Sequence, residues 1–213
     1  MSWDVAVAGG GLAGAAAACR LADAGRRVVL VERERQTGHK VCGEFISGEA
    51  GHCLEALGLG PADRLLQRLG AVPVERVRLV TGRIEAVADL PFPACGLSRH
   101  RLDGWLLNQA ERRGVAVRRG EGVRAITEDG SGVRLEVGAV PLRATAALLA
   151  TGKHDLRGRP RRGPTSSLIG LKLHLRLEPT QARALAGHVE LVLFAGGYAG
   201  LQPVEDGIAN LCL

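Results

Sequence analysis

Aromatic side chains are scarce in this sequence: three Phe, two Trp and one Tyr make up 3% of its 213 residues. A core without large rings has to be filled by Ala, Val and Leu, which the 46% hydrophobic content supplies in ordinary amount. The shortage also removes the stacking platforms on which single-stranded nucleic acid binding relies, so no nucleic-acid partner is expected. No segment approaches the roughly 20 uninterrupted apolar residues of a membrane-spanning helix, and no stable membrane insertion is expected. The sequence opens on a strand-like run rather than on a charged and hydrophobic leader, which points to the cytoplasm. Five cysteines (Cys19, Cys42, Cys53, Cys95, Cys212) are an odd number, widely spaced and without a C-x-x-C. That pattern argues against a disulfide framework and against a zinc site. The six histidines form neither H-x-H nor H-E-x-x-H, and there is no G-x-S-x-G elbow, so metal-centre and serine-hydrolase readings have no support.

Lysine is almost absent as well. Lys40, Lys153 and Lys172 are the only three, and the net charge of +6 is carried by arginines scattered along the chain, the pattern of a solvated surface. One dense run, Arg157, Arg159, Arg161 and Arg162 interleaved with Gly and Pro, reads as a solvent loop joining two structural units. An anionic ligand or nucleic acid is the alternative reading of that run.

Against these absences stands one dense signal at the start. Trp3 to Ala8 is an apolar strand that runs into Gly9-Gly10-Gly11-Leu12-Ala13-Gly14, then an Ala-rich segment, then Val28 to Val31 and an acid, Glu32. Strand, G-x-G-x-x-G, helix and second strand ending in an acid make a dinucleotide-binding βαβ unit. Gly9 allows the tight turn, Gly11 lets the backbone approach a pyrophosphate, and Gly14 lets the helix pack closely on the sheet. The first helical turn then offers its unpaired N–H groups to phosphates. Glu32 is placed to accept hydrogen bonds from ribose hydroxyls. Leu12, Ala15, Ala18 and Leu21 give the helix a slim apolar face, and Gly25 stands where a C-cap is expected.

Further along, residues 33–51 read as a polar loop. Residues 53–69 read as helix broken at Gly58 to Pro61, and 74–80 and 83–88 as strands ending at Pro91-Phe92-Pro93. Leu102, Leu106, Leu107 and Ala110 recur at helical spacing before a strand at 115–117, which continues a parallel sheet. Residues 123–126, 133–137 and 139–142 read as an antiparallel meander, and 146–150 as a fully buried strand. Alternation over 168–177, 189–194 and 208–213 predicts a sheet with one exposed face.

The segments after the first unit resemble a particular group of flavoproteins. Lys40-Val41-Cys42-Gly43-Glu44-Phe45-Ile46-Ser47 resembles the segment after the second strand in geranylgeranyl-reductase-like enzymes. Arg99-His100-Arg101-Leu102-Asp103 with Leu106 resembles the R-x-x-L-D-x-x-L helix of that group and of the related aromatic hydroxylases, the group A flavin monooxygenases. Ala150-Thr151-Gly152 resembles the strand-end A-T-G of glutathione-reductase-type FAD domains, and Gly197 to Gly207 the substrate-domain hairpin of the same superfamily. The implied fold is α/β: a glutathione-reductase-type Rossmann FAD-binding domain with a parallel sheet and β-meander (1–73 and 98–160), plus part of a mainly antiparallel β substrate domain (74–97 and 161–213).

Carried onto this sequence, the resemblance implies FAD as cofactor, with NAD(P)H as the candidate electron donor. It implies pyrophosphate contacts at Gly9, Gly11, Leu12, Ala13 and Gly14, ribose-side contacts at Glu32 and Arg33, flavin-side contacts at Cys42 and Gly43, a phosphate contact at Arg99, an adenine-side backbone contact at Val123, and contacts at Thr151 and Gly152. Arg99 suits bidentate phosphate binding at a helix start, with Arg101 a competing candidate. Arg33 and Arg35 hint at a 2′-phosphate, which Glu32 would repel, so FAD is favoured over NADP at this site. Cys42 is the candidate for direct chemistry, and a small buried apolar residue is its alternative. Lys40 and Glu44 either contact substrate or face solvent. The expected activity is hydride transfer through bound flavin to a small organic substrate; a flavin monooxygenase and a non-catalytic nucleotide-binding module are the rivals. A late G-D-A segment typical of the superfamily is missing from this sequence. The 213 residues are accordingly expected to bind FAD weakly and to associate, as a homodimer or less specifically, through exposed strand edges.

Overall fold

The computed structural model describes residues 2–160 and 168–213. Its elements run β1 (Trp3–Ala8), α1 (Leu12–Asp23), β2 (Val28–Glu32), β3 (Phe45–Ser47), α2 (Gly48–Ala56), α3 (Ala62–Arg68), β4 (Val72–Thr81), β5 (Ile84–Gly96) and α4 (Arg99–Arg112). They continue through β6 (Ala116–Arg119), β7 (Val123–Glu128), β8 (Val133–Val137), β9 (Leu142–Leu149), β10 (Lys172–Leu175), α5 (Pro179–Leu185), β11 (Gly187–Phe194), β12 (Gly197–Val204) and β13 (Ile208–Cys212). By compactness the chain divides into two units, Met1–Gly38 with Leu102–Thr165 and His39–Arg101 with Ser166–Leu213. Residues 39–73 group with the second unit, which β3 joins by pairing with β5.

The first unit is built on a six-stranded sheet in the order β6-β2-β1-β9-β8-β7. β6, β2, β1 and β9 are parallel to their neighbours, while β7, β8 and β9 form the antiparallel meander. The strand order 2-1 with α1 between is the expected βαβ step, and small residues make it possible. Ala15, Ala18 and Cys19 on α1 are fully buried, as are Ala6 and Val7 of β1 and Val29 and Leu30 of β2. On the other face Ala6, Val29, Val31, Leu135, Val137 and Ala144 form a continuous core onto which Trp3, Val123 and Ile126 pack.

The second unit holds a seven-stranded, mostly antiparallel sheet in the order β10-β13-β12-β11-β4-β5-β3. Its one parallel pairing is β11 with β4. β5 approaches β12 so closely that a side-chain carbon on Gly96 would lie 1.9 Å from the Pro203 carbonyl oxygen, which only glycine allows.

Five expectations are corrected. Residues 139–142 and 146–150 belong to one strand, β9, which is the third strand of the meander and also pairs with β1. β9 is not fully buried either: Leu148 and Leu149 stay 38% and 45% exposed, and α1 packs chiefly on β1 and β2. The stretch 33–51 is not all loop, because Phe45–Ser47 pairs with Ala94 to Gly96 and α2 follows at once. β5 does not stop at Pro91 but runs on to Gly96. Asp89 faces Arg76 and Ala94 faces Val74, so both prolines lie in an irregularity where no ladder donor is needed. Of the 168–177 alternation, only Lys172–Leu175 is strand. Arg161 and Arg162 of the basic run lie outside the described residues. Among the described residues, no helix is long and apolar enough to cross a membrane.

Candidate functional site

In the first unit the glycine turn is fixed by contacts that leave no space. Gly9 sits at φ +111°, and a Cβ there would stand 2.3 Å from the Ala150 carbonyl oxygen; one on Gly14 would stand 1.9 Å from the Gly9 carbonyl oxygen. Backbone therefore packs on backbone, and α1 begins directly behind the turn. Gly11 is its N-cap, offers no side-chain cap, and no acidic residue occupies the first turn. The first-turn N–H groups thus keep their donors and their partial positive charge for an anion, with Leu12 half-buried and Ala13 exposed beside them.

Glu32 stands at the end of β2, as expected. Its Oε2 accepts from the Gly10 N–H at 2.6 Å, and its Oε1 from the Glu34 N–H at 2.9 Å. The carboxylate braces the glycine turn, and each oxygen retains a lone pair for a hydroxyl donor. Arg33 pairs with Glu34 at 3.1 Å and lies 3.0 Å from His154 Nε2. Thr151 donates its hydroxyl to the His154 carbonyl, and Gly152 turns at φ +64° just past β9. Val123 begins β7 beside a bulge in its pairing with β8. Ten of the expected contact residues (Gly9, Gly11, Leu12, Ala13, Gly14, Glu32, Arg33, Val123, Thr151, Gly152) therefore belong to this one unit. A glycine turn that no side chain could replace, an uncapped helix start and a strand-end carboxylate fit a dinucleotide pyrophosphate and its ribose.

Cys42, Gly43 and Arg99 belong to the second unit, where they surround a residue the sequence left undecided. Glu44 does not face solvent: its side chain is fully buried. Lys172 Nζ and the Arg99 backbone N–H donate to its Oε1, and His174 Nε2 lies 2.8 Å from its Oε2. Its N–H reaches Cys42 Sγ at 3.4 Å, and its carbonyl accepts from the Leu97 N–H. Glu44 also holds φ +59°, a left-handed conformation that a non-glycine residue adopts only where its surroundings impose it. Asn210 Nδ2 donates to both the Cys42 and Gly43 carbonyls, at 3.1 and 2.8 Å, and so ties that loop to β13.

His39 meets His174 edge-on with centroids 4.4 Å apart and approaches His100 at 5.1 Å. Burial, then the charges of His174, Lys172 and His100, hold its pKa below the ordinary histidine value, with Glu44 opposing. The ligand atoms of His39, Glu44 and His174 lie within 4.8 Å of one another. The Lys172 ammonium on the same carboxylate already balances the charge a cation would need. Arg101, the rival phosphate ligand, is taken up by Asp206, Glu205 and the Leu69 carbonyl. Lys172, His174 and Asn210 went unnoticed in the sequence. The available signal was K-L-H-L, which sets a lysine and a histidine two apart on one face of a strand.

A glycine-cradled βαβ unit continued by a meander, joined in sequence to a large antiparallel sheet, defines a dinucleotide-binding protein. Residues 2–142 match the model of the FAD binding domain, and the chain belongs to that family, with FAD as its cofactor. It is 29% identical to digeranylgeranylglycerophospholipid reductase 2 of Methanopyrus kandleri over all of this chain and 54% of that protein. It is also 29% identical to the probable electron transfer flavoprotein-quinone oxidoreductase YdiS of Escherichia coli, over 84% of this chain and 44% of that one. The chain spans about half the length of the curated relatives it matches. Among solved structures, the halogenase PltM with phloroglucinol and FAD matches at a TM-score of 0.78 and 17% identity, covering 99% of this chain and 51% of PltM. The probable FAD-dependent monooxygenase pqsL of Pseudomonas aeruginosa matches at 0.78 and 19%, covering all of this chain and 60% of its own. These two likenesses establish the fold.

Proposed function

We propose that the chain is the FAD-binding and substrate-entry part of an oxidoreductase that saturates carbon–carbon double bonds of an isoprenoid substrate. The observation that carries this reading is the similarity to two digeranylgeranylglycerophospholipid reductases along 100% and 99% of the chain, beyond the 84% matched by YdiS. Bound and reduced, FAD supplies a hydride; the protein supplies position, charge and a proton. Gly9, Gly11 and Gly14 hold the pyrophosphate against the α1 N-terminus, with Leu12 and Ala13 beside it, and Glu32 takes the ribose hydroxyls. Arg33, Val123, Thr151 and Gly152 line the remaining nucleotide side. Cys42 and Gly43 serve the flavin end, and Asn210 fixes their carbonyls. Arg99, whose backbone is already held by Glu44, contributes the phosphate-directed guanidinium. The 1–73 and 98–160 division describes cofactor binding, with the rest serving the substrate. NAD(P)H is the proposed electron source, and the cytoplasm the proposed location.

The test is anaerobic. The FAD-loaded protein is reduced with dithionite and mixed with digeranylgeranylglycerophospholipid. Return of the oxidised flavin band with saturation of the lipid supports the reading. Flavin that stays reduced until oxygen is admitted, with a hydroxylated product, supports a monooxygenase instead. Cys42→Ser is expected to leave the fold intact and to change turnover.

A further inference from the structure

Four residues form a square on one face of the second unit's sheet. Lys172 and His174 of β10 lie directly opposite Cys212 and Asn210 of β13, and residues two apart on a strand point the same way. Three corners of the square hold the loop before β3: Lys172 and His174 hold the Glu44 carboxylate, and Asn210 donates to the Cys42 and Gly43 carbonyls. The fourth corner, Cys212, feels the charges of Cys42 and Glu44 in that same loop. We propose that Cys42 and Cys212 are an oxidation site, two thiols that close to a disulfide when hydrogen peroxide reaches them. The site lies within one unit and needs neither flavin nor substrate. It is not a framework bond, because all five cysteines are free thiols in the structure.

Both residues are half-buried, open enough for a small oxidant. Burial, then the charge of Cys42, holds the Cys212 thiol above the ordinary cysteine value, with Lys172 opposing and Glu44 adding to the rise. Cys42 thus acts on Cys212 more strongly than Lys172, its neighbour across the ladder, and the two sulfurs are close. The other thiols stand apart: Cys19 is fully buried in the first unit, Cys53 is exposed on α2, and burial alone pushes Cys95 up to about 11. A thiol held up as Cys212 is makes a poor first nucleophile and serves as the resolving partner. Cys42, whose Sγ accepts the Glu44 N–H at 3.4 Å, takes the oxidant. Its sulfur attacks one oxygen of hydrogen peroxide, the O–O bond breaks, and Cys42 becomes a sulfenic acid as one water leaves. The Cys212 sulfur then attacks the Cys42 sulfur. The S–O bond breaks, and the departing hydroxide leaves as a second water with the Cys212 proton. Two electrons pass from the sulfurs to the peroxide, and the loop before β3 is joined covalently to β13.

The test uses the 213-residue chain, fully reduced and then exposed to hydrogen peroxide. Two of its five thiols, counted after denaturation, should be lost, and dithiothreitol should restore them. After the remaining thiols are blocked with N-ethylmaleimide, cleavage behind glutamate should release residues 35–44 joined to 206–213, lighter by two hydrogen masses than the separate peptides. Cys53 falls in another fragment and cannot be mistaken for Cys42. Cys212→Ser should stop at the Cys42 sulfenic acid, trapped by dimedone, and form no disulfide within the chain. Retention of all five thiols in the unmodified chain overturns the proposal. So does a sulfenic or sulfinic acid at Cys42 beside a free Cys212, and so does a Cys42 joined to Cys53 or to a second chain.

Discussion

The two units reach a chemically useful site by opposite means. In the first, function comes from side chains that are not there: the Gly9 and Gly14 contacts bring backbone to within a distance no Cβ survives, and helix α1 is left uncapped. In the second, side chains crowd instead, with a carboxylate and an ammonium pressed together below the surface and the His174 imidazole at its edge. A site made by omission fails when an atom is added, and a site made by balanced charge fails when one is taken away.

The largest expected effect follows from the second rule. Lys172→Met removes the cation from a buried pair and leaves Glu44 uncompensated, a change that costs about 3–5 kcal/mol. Urea unfolding should show it; a loss below 1 kcal/mol would mean that His174 and Arg99 suffice for the carboxylate. Gly14→Ala probes the first rule. One methyl group against the Gly9 carbonyl is overpacking of about 3 kcal/mol, and the FAD affinity measured by calorimetric titration should fall with it. Glu32→Ala is milder. It deletes the brace on Gly10 and the proposed ribose acceptor, and should weaken FAD binding by about 1.5–3 kcal/mol in a calorimetric titration. Unchanged affinity would leave Glu32 a structural brace only.

The smallest effect is a pH dependence. His39 is held below its ordinary pKa in the folded chain, so the unfolded chain takes up its proton first as pH falls. The stability tied to neutral His39 is therefore fully present above about pH 6.5 and is lost as pH drops through the lower folded value. His39→Gln should flatten that acid limb of a thermal melt series. An unaltered slope would show that its neighbours do not govern it.

The same contrast explains what the sequence disclosed. The glycine turn, α1 and the acid at the end of β2 lie within 30 residues, and their spacing is dictated by backbone geometry that composition cannot disguise. Glu44 meets Lys172 and His174 across 128 and 130 positions, and Asn210 meets Cys42 and Gly43 across 168 and 167, only because β10 and β13 lie side by side and the loop before β3 comes to them. No local pattern announces that meeting, and Glu44 was left undecided for that reason. β5 shows the converse: its prolines gave a true local signal, overruled by a ladder that leaves their positions unpaired.

β1 takes β9, far along the chain, as one of its two partners, Val5 lying opposite Ala146. Closing a loop of that length carries an entropic cost that nearby pairings avoid, whereas β7, β8 and β9 join through short turns. During synthesis the glycine turn would emerge early but remain one-sided, its Ala150 neighbour still unmade. The nucleotide site would thus be completed only once β9 is made, and cofactor capture would report that the sheet has closed rather than that it has begun.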